Sequence, residues 1–147
     1  MINHLNKKNK PTIIDISNKK QTTRIAKAQG IIQLSSKTFK QIESLKTKKG
    51  EITNAAIIAG ILGAKRTSEI IPLCHNITLE NIDIDIRLIK NKSLFIVTCS
   101  VISSGKTGVE MEALTGVSLA CLTIYDMCKS IDKKIIIKEI KLLEKKG

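Results

Sequence analysis

From Gly105 to Lys129 the chain reads GKTGVEMEALTGVSLACLTIYDMCK, charged at both ends and apolar, without proline, in between. Gly105 and Lys106 open the stretch as a tight turn, and Glu110, Met111 and Glu112 follow. It closes on Tyr125-Asp126-Met127-Cys128-Lys129. Such a segment folds as a helix with a buried middle, and the spacing predicts one over about Val109–Ile131. Asp126 and Lys129, three apart, share a face of its last turn. A carboxylate and an amine at the end of a buried helix suit acid–base chemistry.

The segments around this helix follow the two periods of regular structure. A short strand is expected at Thr12–Ile16 and another at Gly30–Leu34. Ser35 or Ser36 caps a short helix that turns Phe39, Ile42 and Leu45 inward. Lys46 to Gly50 reads as a basic loop. A second helix, Thr53–Ile70, is rich in Ala and Ile, carries Gly60 and Gly63 for close packing, and is stopped by Pro72. Ile82, Ile84, Ile86 and Leu88 alternate with Asp83, Asp85 and Arg87 in a strand over Ile77–Leu88. Ile77 and Leu79 are out of phase with that run, which predicts a bulge or bend near Asn81. Asn91-Lys92 turns the chain into a partner strand, Leu94–Ile102, and a last strand lies at Ile135–Leu143. With the small helix set aside the order is β-α-β-β-α-β. That order predicts an α+β, ferredoxin-like sandwich, an antiparallel sheet with helices on one face, plus an extra short N-terminal helix.

A length of 147 residues, 42% of them hydrophobic, supplies one core. Residues 1–12 read as a mobile basic tail and 13–147 as a single domain. No window reaches the ~18 apolar residues of a membrane span, and the best candidate, Ala55–Ala64, runs into Lys65-Arg66. The start, MINHLNKKNKPT, has no apolar core of a signal peptide, so a cytoplasmic location is expected. The formal net charge of +12 predicts attraction to a polyanion. Aromatic residues make up only 2% of the chain, which leaves almost no platform for stacking single strands. An anionic small molecule such as a nucleoside triphosphate fits that charge at least as well as a nucleic acid. Cys74, Cys99, Cys121 and Cys128 show neither CxxC pairing nor zinc-finger spacing, which argues against structural zinc and a disulfide framework.

Several short motifs carry two readings each. Gly105-Lys106-Thr107 is no P-loop, because that motif needs a glycine where Ser100 stands. The turn is either an anion contact through its N–H groups or a plain capped turn. Leu73-Cys74-His75 forms a loop after Pro72, and His75, the one histidine outside the tail, is a structural residue or a functional one. Lys65-Arg66 complements a helix dipole and needs no further role. Asp126 and Lys129 are a solvated surface pair, or a buried pair whose pKa values are tuned for proton transfer. Glu112 precedes Asp126 by 14 positions, about 40° around the axis and roughly 21 Å along it. One compact reacting centre cannot touch both on one helix: either they serve opposite ends of a long ligand, or a second chain completes each site, and the geometry favours an oligomer with shared sites.

The strings KRTSEIIPLCH, GKTGVEMEALT and LTIYDMCK, with the KKGE loop and the final LLEK, spread from about Arg24 to Lys145. Through them the chain resembles the molybdenum cofactor biosynthesis protein C (MoaC) family, the cyclic pyranopterin monophosphate synthases. The resemblance implies a ferredoxin-like subunit in a homohexamer, a trimer of dimers, with active sites at subunit interfaces. It implies a lyase of molybdenum cofactor biosynthesis that uses no metal and no organic cofactor. The substrate would be (8S)-3′,8-cyclo-7,8-dihydroguanosine 5′-triphosphate, and the products cyclic pyranopterin monophosphate and pyrophosphate. Asp126 matches the family's active-site aspartate and Lys129 its essential lysine. Leu73, Cys74, His75, Met111 and Glu112 match the substrate-binding segments, and Arg24, Lys49 and Lys145 match further basic residues of the pocket. Family members continue past the last strand into a Gly/Lys/Ser-rich tail, whereas this sequence stops at Gly147, so a tail lysine that would contact phosphate is expected to be missing. A nucleic-acid-binding module on the same fold would need aromatics on the sheet, and outside the small helix only Phe95 and Tyr125 exist. Neither a nucleic acid nor a membrane is therefore expected as a partner. A subunit kept only for assembly would have no use for Asp126, Lys129, His75 and Glu112.

Overall fold

The computed structural model describes residues 3–147, the side chains of residues 46–48 apart. In chain order it forms β1 (Thr22–Gln33), α1 (Ser36–Ser44), α2 (Lys46–Lys65), α3 (Thr67–Ile70), β2 (Asn81–Ile89), β3 (Leu94–Gly105), α4 (Glu110–Cys128) and β4 (Ile136–Lys146). The four strands make one antiparallel sheet in the order β2-β3-β1-β4. With α2 and α4 packed on one face, this is the α+β, ferredoxin-like arrangement that the sequence predicts. The extra short helix, α1, follows β1.

Small residues set the thickness of the sandwich. β1 turns Ala26, Ala28, Gly30 and Ile32 toward the helices, all of them buried. A Cβ on Gly30 would stand 2.6 Å from Cys121 Sγ, and one on Gly116 would stand 2.7 Å from Cys99 Sγ. On α2, a Cβ at Gly60 would collide with Ile84 and one at Gly63 would come within 2.8 Å of Leu119. The expected role of both helix glycines in close packing therefore holds. Over this layer lie Phe95, Val97, Val101, Val117 and Ile124, all fully buried. Phe39 of α1 meets Phe95 with ring centroids 5.7 Å apart. Ser35 caps α1 by accepting from the Thr38 N–H at 3.3 Å.

Several boundaries differ from the sequence expectations. No strand forms at Thr12–Ile16, where the Ile14 carbonyl is bonded to the His75 ring instead of a neighbouring strand. β1 starts at Thr22, well before Gly30; its inward residues there are alanines, weak strand formers that leave little strand signal in the sequence. Lys46 to Gly50 is the first part of α2 and not a loop. The helix expected at Thr53–Ile70 is two helices that part at Arg66, with the Thr67 hydroxyl donating to the Ala64 carbonyl at 2.9 Å across the break. The irregularity expected near Asn81 is a bend, at Glu80, and from Asn81 the pairing with β3 runs unshifted to Ile89. The register shifts within the sheet lie between β1 and β4, at Lys27/Ala28 and Ile31/Ile32. Leu45 is 40% exposed, not inward. The β2–β3 connection is a 3-10 turn over Lys90–Lys92 that ends on Ser93 at φ +53°. By length and mean composition α4 could cross a membrane, but half of that window is buried inside the domain.

Candidate active site

The start of α4 forms the floor of a cleft of about 260 Å³. Leu73, Cys74 and His75 supply one wall, Thr107, Gly108, Glu110, Met111 and Glu112 the floor, and Ile14, Ile16 and Lys19 the cover. The wall is placed by the turn after α3, where the Cys74 N–H donates to the Ile71 carbonyl at 3.1 Å. His75 Nε2 lies 2.8 Å from the Ile14 carbonyl oxygen, so Nε2–H is the donor and, in the neutral ring, Nδ1 is left as an acceptor. Lys106 Nζ donates to the Ser17 carbonyl at 2.7 Å and holds the same covering segment from the other side.

Two carboxylates two residues apart are driven in opposite directions. Burial pushes the Glu112 carboxyl up, its own backbone N–H opposes this, and the nearby Glu110 charge adds to it. Glu112 is 4% exposed. Burial also pushes the Cys74 thiol up, and Glu112 adds to that effect. Glu110 is partly buried too, but a hydrogen bond from Lys145, its own backbone N–H and the charges of Lys145 and Arg24 outweigh burial and hold it below the ordinary carboxylate range. Lys145 forms an ion pair with Glu110. Arg24 Nε donates to the Gly105 carbonyl at 3.1 Å, at the turn into α4. A Cβ on Gly108 would collide with the Glu110 carboxylate, so only glycine leaves that side chain its place.

The other predicted residues lie elsewhere. Asp126 and Lys129 pair at 2.6 Å on the last turn of α4, with side chains 70% and 62% exposed. The pair is therefore not the buried one that the surrounding apolar run suggests. Its hydrogen bond, and then the charge of Asp126, raises the Lys129 pKa instead of tuning it toward neutrality. Lys49 sits near the start of α2. At that end Leu45 and Ile52 face Met127 and Ile131 across a hollow of about 240 Å³. Arg24, Leu73, Cys74, His75, Met111, Glu112 and Lys145 thus gather at one end of α4, while Lys49, Asp126 and Lys129 stand toward the other.

Glu110, Gly108 and Lys19 belong to the cleft and were not singled out for it by sequence reasoning. One available signal was Asp15-x-Ser17, whose Asp15 side chain accepts from the Ser17 N–H at 2.8 Å and marks an ordered turn before Lys19. Among the described residues no His, Cys, Asp and Glu side chains cluster as a metal ion would require.

Residues 13–147 match the profile of the MoaC family. A protein of Helicobacter hepaticus named cyclic pyranopterin monophosphate synthase is 50% identical over 148 residues, spanning 99% of this chain and 92% of its own length. A Campylobacter jejuni protein of the same name is 48% identical, over 99% of this chain and 93% of its own. One from Lysinibacillus sphaericus is 49% identical, over 98% and 91%. The cleft residues from Ile14 onward and the Asp126–Lys129 pair fall inside the matched region, and the chain belongs to the MoaC family.

Proposed function

We propose that this protein is a cyclic pyranopterin monophosphate synthase, a phosphorus–oxygen lyase that acts on (8S)-3′,8-cyclo-7,8-dihydroguanosine 5′-triphosphate. What carries the reading is that proteins of that name are about half identical to this chain over nearly its whole length. Closing a cyclic monophosphate from a triphosphate requires an internal hydroxyl to attack the α-phosphorus while pyrophosphate departs. Cations aimed at the departing oxygens lower that barrier most. Lys49, Arg24 and Lys145 hold the triphosphate, and Leu73, Cys74, His75, Met111 and Glu112 hold the purine-derived part. Lys129 acts as general acid or base, and Asp126 orients it.

The assembly belongs to the same proposal. Along α4, Glu112 and Asp126 are roughly 21 Å apart at 1.5 Å per residue, so each site draws on two copies of the chain. Support comes from the outer helical face, where Ile58 (67% exposed), Leu62 (46%), Leu122 (53%) and Tyr125 (38%) are left to solvent. A homohexamer, a trimer of dimers, covers this face and brings Lys129 of one copy to the cleft of another. Burial there lowers the Lys129 pKa toward the working range. A triphosphate substrate places the reaction in the cytoplasm. Incubation with enzymatically made cyclised GTP tests the reading: release of pyrophosphate with the cyclic pterin supports it, and unchanged substrate overturns it.

A further inference from the structure

We propose that the recess at the hairpin end of the sheet is a second anion site, which takes a linear oligophosphate. It encloses about 620 Å³ and is lined by Lys40, Lys90, Lys92 and Lys138, with no carboxylate among the lining residues. These cations come from α1, the 3-10 turn and β4. Lys90 is engaged by Glu43 at 2.6 Å. Among the described residues, Lys40, Lys92 and Lys138 have no carboxylate within ion-pair distance. Asp132, on the loop before β4, is buried and accepts from the N–H groups of Ser35 and Lys134 at 2.7 and 2.9 Å, and it makes no ion pair with these lysines. Like charges gathered from separate elements repel one another, and a multivalent anion between them removes the repulsion.

The lining also selects the kind of anion. It contains no aromatic ring, so nothing there stacks a nucleobase. It contains no arginine, so no planar fork is ready for one phosphate. Lysines are point charges on flexible stems, and those of different elements can follow a chain of phosphates. Gln33, Asn91 and Ser93 add neutral donors to the same wall. None of the residues of the cleft at the start of α4 lines this recess, so the two sites fill independently.

Calorimetric titration of the full chain with sodium tripolyphosphate, at fixed ionic strength, tests the assignment without reference to turnover. The wild type is expected to bind one more equivalent per chain than the Lys40→Gln/Lys92→Gln/Lys138→Gln variant. A control that removes the same charge elsewhere, Lys7→Gln/Lys8→Gln/Lys10→Gln, retains that equivalent. Lys92→Gln alone, a minimal change on an exposed turn, weakens it roughly threefold or more, and added salt weakens it further. Equal stoichiometry and affinity in wild type and triple variant overturn the proposal. So does an equal loss in the control, which would reduce the effect to net charge, or tighter binding of an oligouridylate than of tripolyphosphate at this recess.

Discussion

The ammonium of Lys145 and the carboxylate of Glu110 form an ion pair that joins the edge strand β4 to the first turn of α4. The register carries Lys145 there: it pairs with Ala26, an inward position of β1, beyond the shift at Lys27/Ala28. Glu110 therefore holds in reserve one of the cations proposed for the triphosphate. Its folded-state pKa lies below the ordinary 4.5. Its contribution to stability is thus full above that value and is lost as pH falls through the lower folded one. Glu110→Gln is expected to cost about 1 kcal/mol at neutral pH, and the difference from wild type should vanish in urea melts at strongly acidic pH.

Glu112 carries the opposite sign. Burial raises its pKa above 4.5, so the folded chain binds the proton more tightly than the unfolded one. Stability then falls as pH rises through the interval between the two values, and the loss persists at neutral pH. Glu112→Gln is expected to be the more stable protein at pH 7, by about 1 kcal/mol, and indistinguishable from wild type below the unfolded value. Its turnover of cyclised GTP should drop while its melting temperature rises.

Gly108 offers a steric test of the same corner. In Gly108→Ala the new methyl meets the Glu110 carboxylate, which must leave or push the turn aside. A cost of about 1–3 kcal/mol is expected. Pairing it with Glu110→Ala, which vacates the space, should recover most of the lost melting temperature. Equal melting of single and double variants would show that the collision is not what matters.

The exposed pair at the far end of α4 separates activity from stability. Lys129→Ala and Asp126→Asn remove groups that are 62% and 70% exposed, so thermal stability should change little. Turnover should fall roughly 10²-fold or more if Lys129 moves a proton.

Shared sites make a further measurement available. Neither Lys129→Ala nor His75→Ala chains should turn over cyclised GTP alone. After unfolding and refolding together, mixed assemblies contain some sites with both residues intact, and activity should reappear. A mixture as inactive as its components would sink the two-copy site.

Elements whose local chemistry agrees with their burial were legible in the sequence. α4 announced itself by an unbroken apolar run, β2 by its isoleucine alternation, and α1 by the Ser35 cap. β1 was half hidden because Ala26 and Ala28 look indifferent until a helix is laid over them. Lys46–Gly50 looked like a loop because its residues are polar, and the backbone is helical all the same. The candidate site was legible mainly through family motifs. Its physical content was not, because the opposite treatment of Glu110 and Glu112 depends on where β4 delivers Lys145. Of the two readings of Asp126, the solvated pair is the one the chain adopts: an apolar run suggests burial, but on a helix every run has an outer side.

The glycine seats under Cys121 and Cys99 also decide how the thiols behave. Burial pushes Cys99 up to about 12 and Cys121 and Cys128 up to about 11, whereas Cys74 stands only partly covered in the cleft wall. An alkylating reagent added to the native protein therefore reads two clocks: Cys74 reports breathing of the cleft, and the three silent thiols mark the rare moments when sheet and helices part.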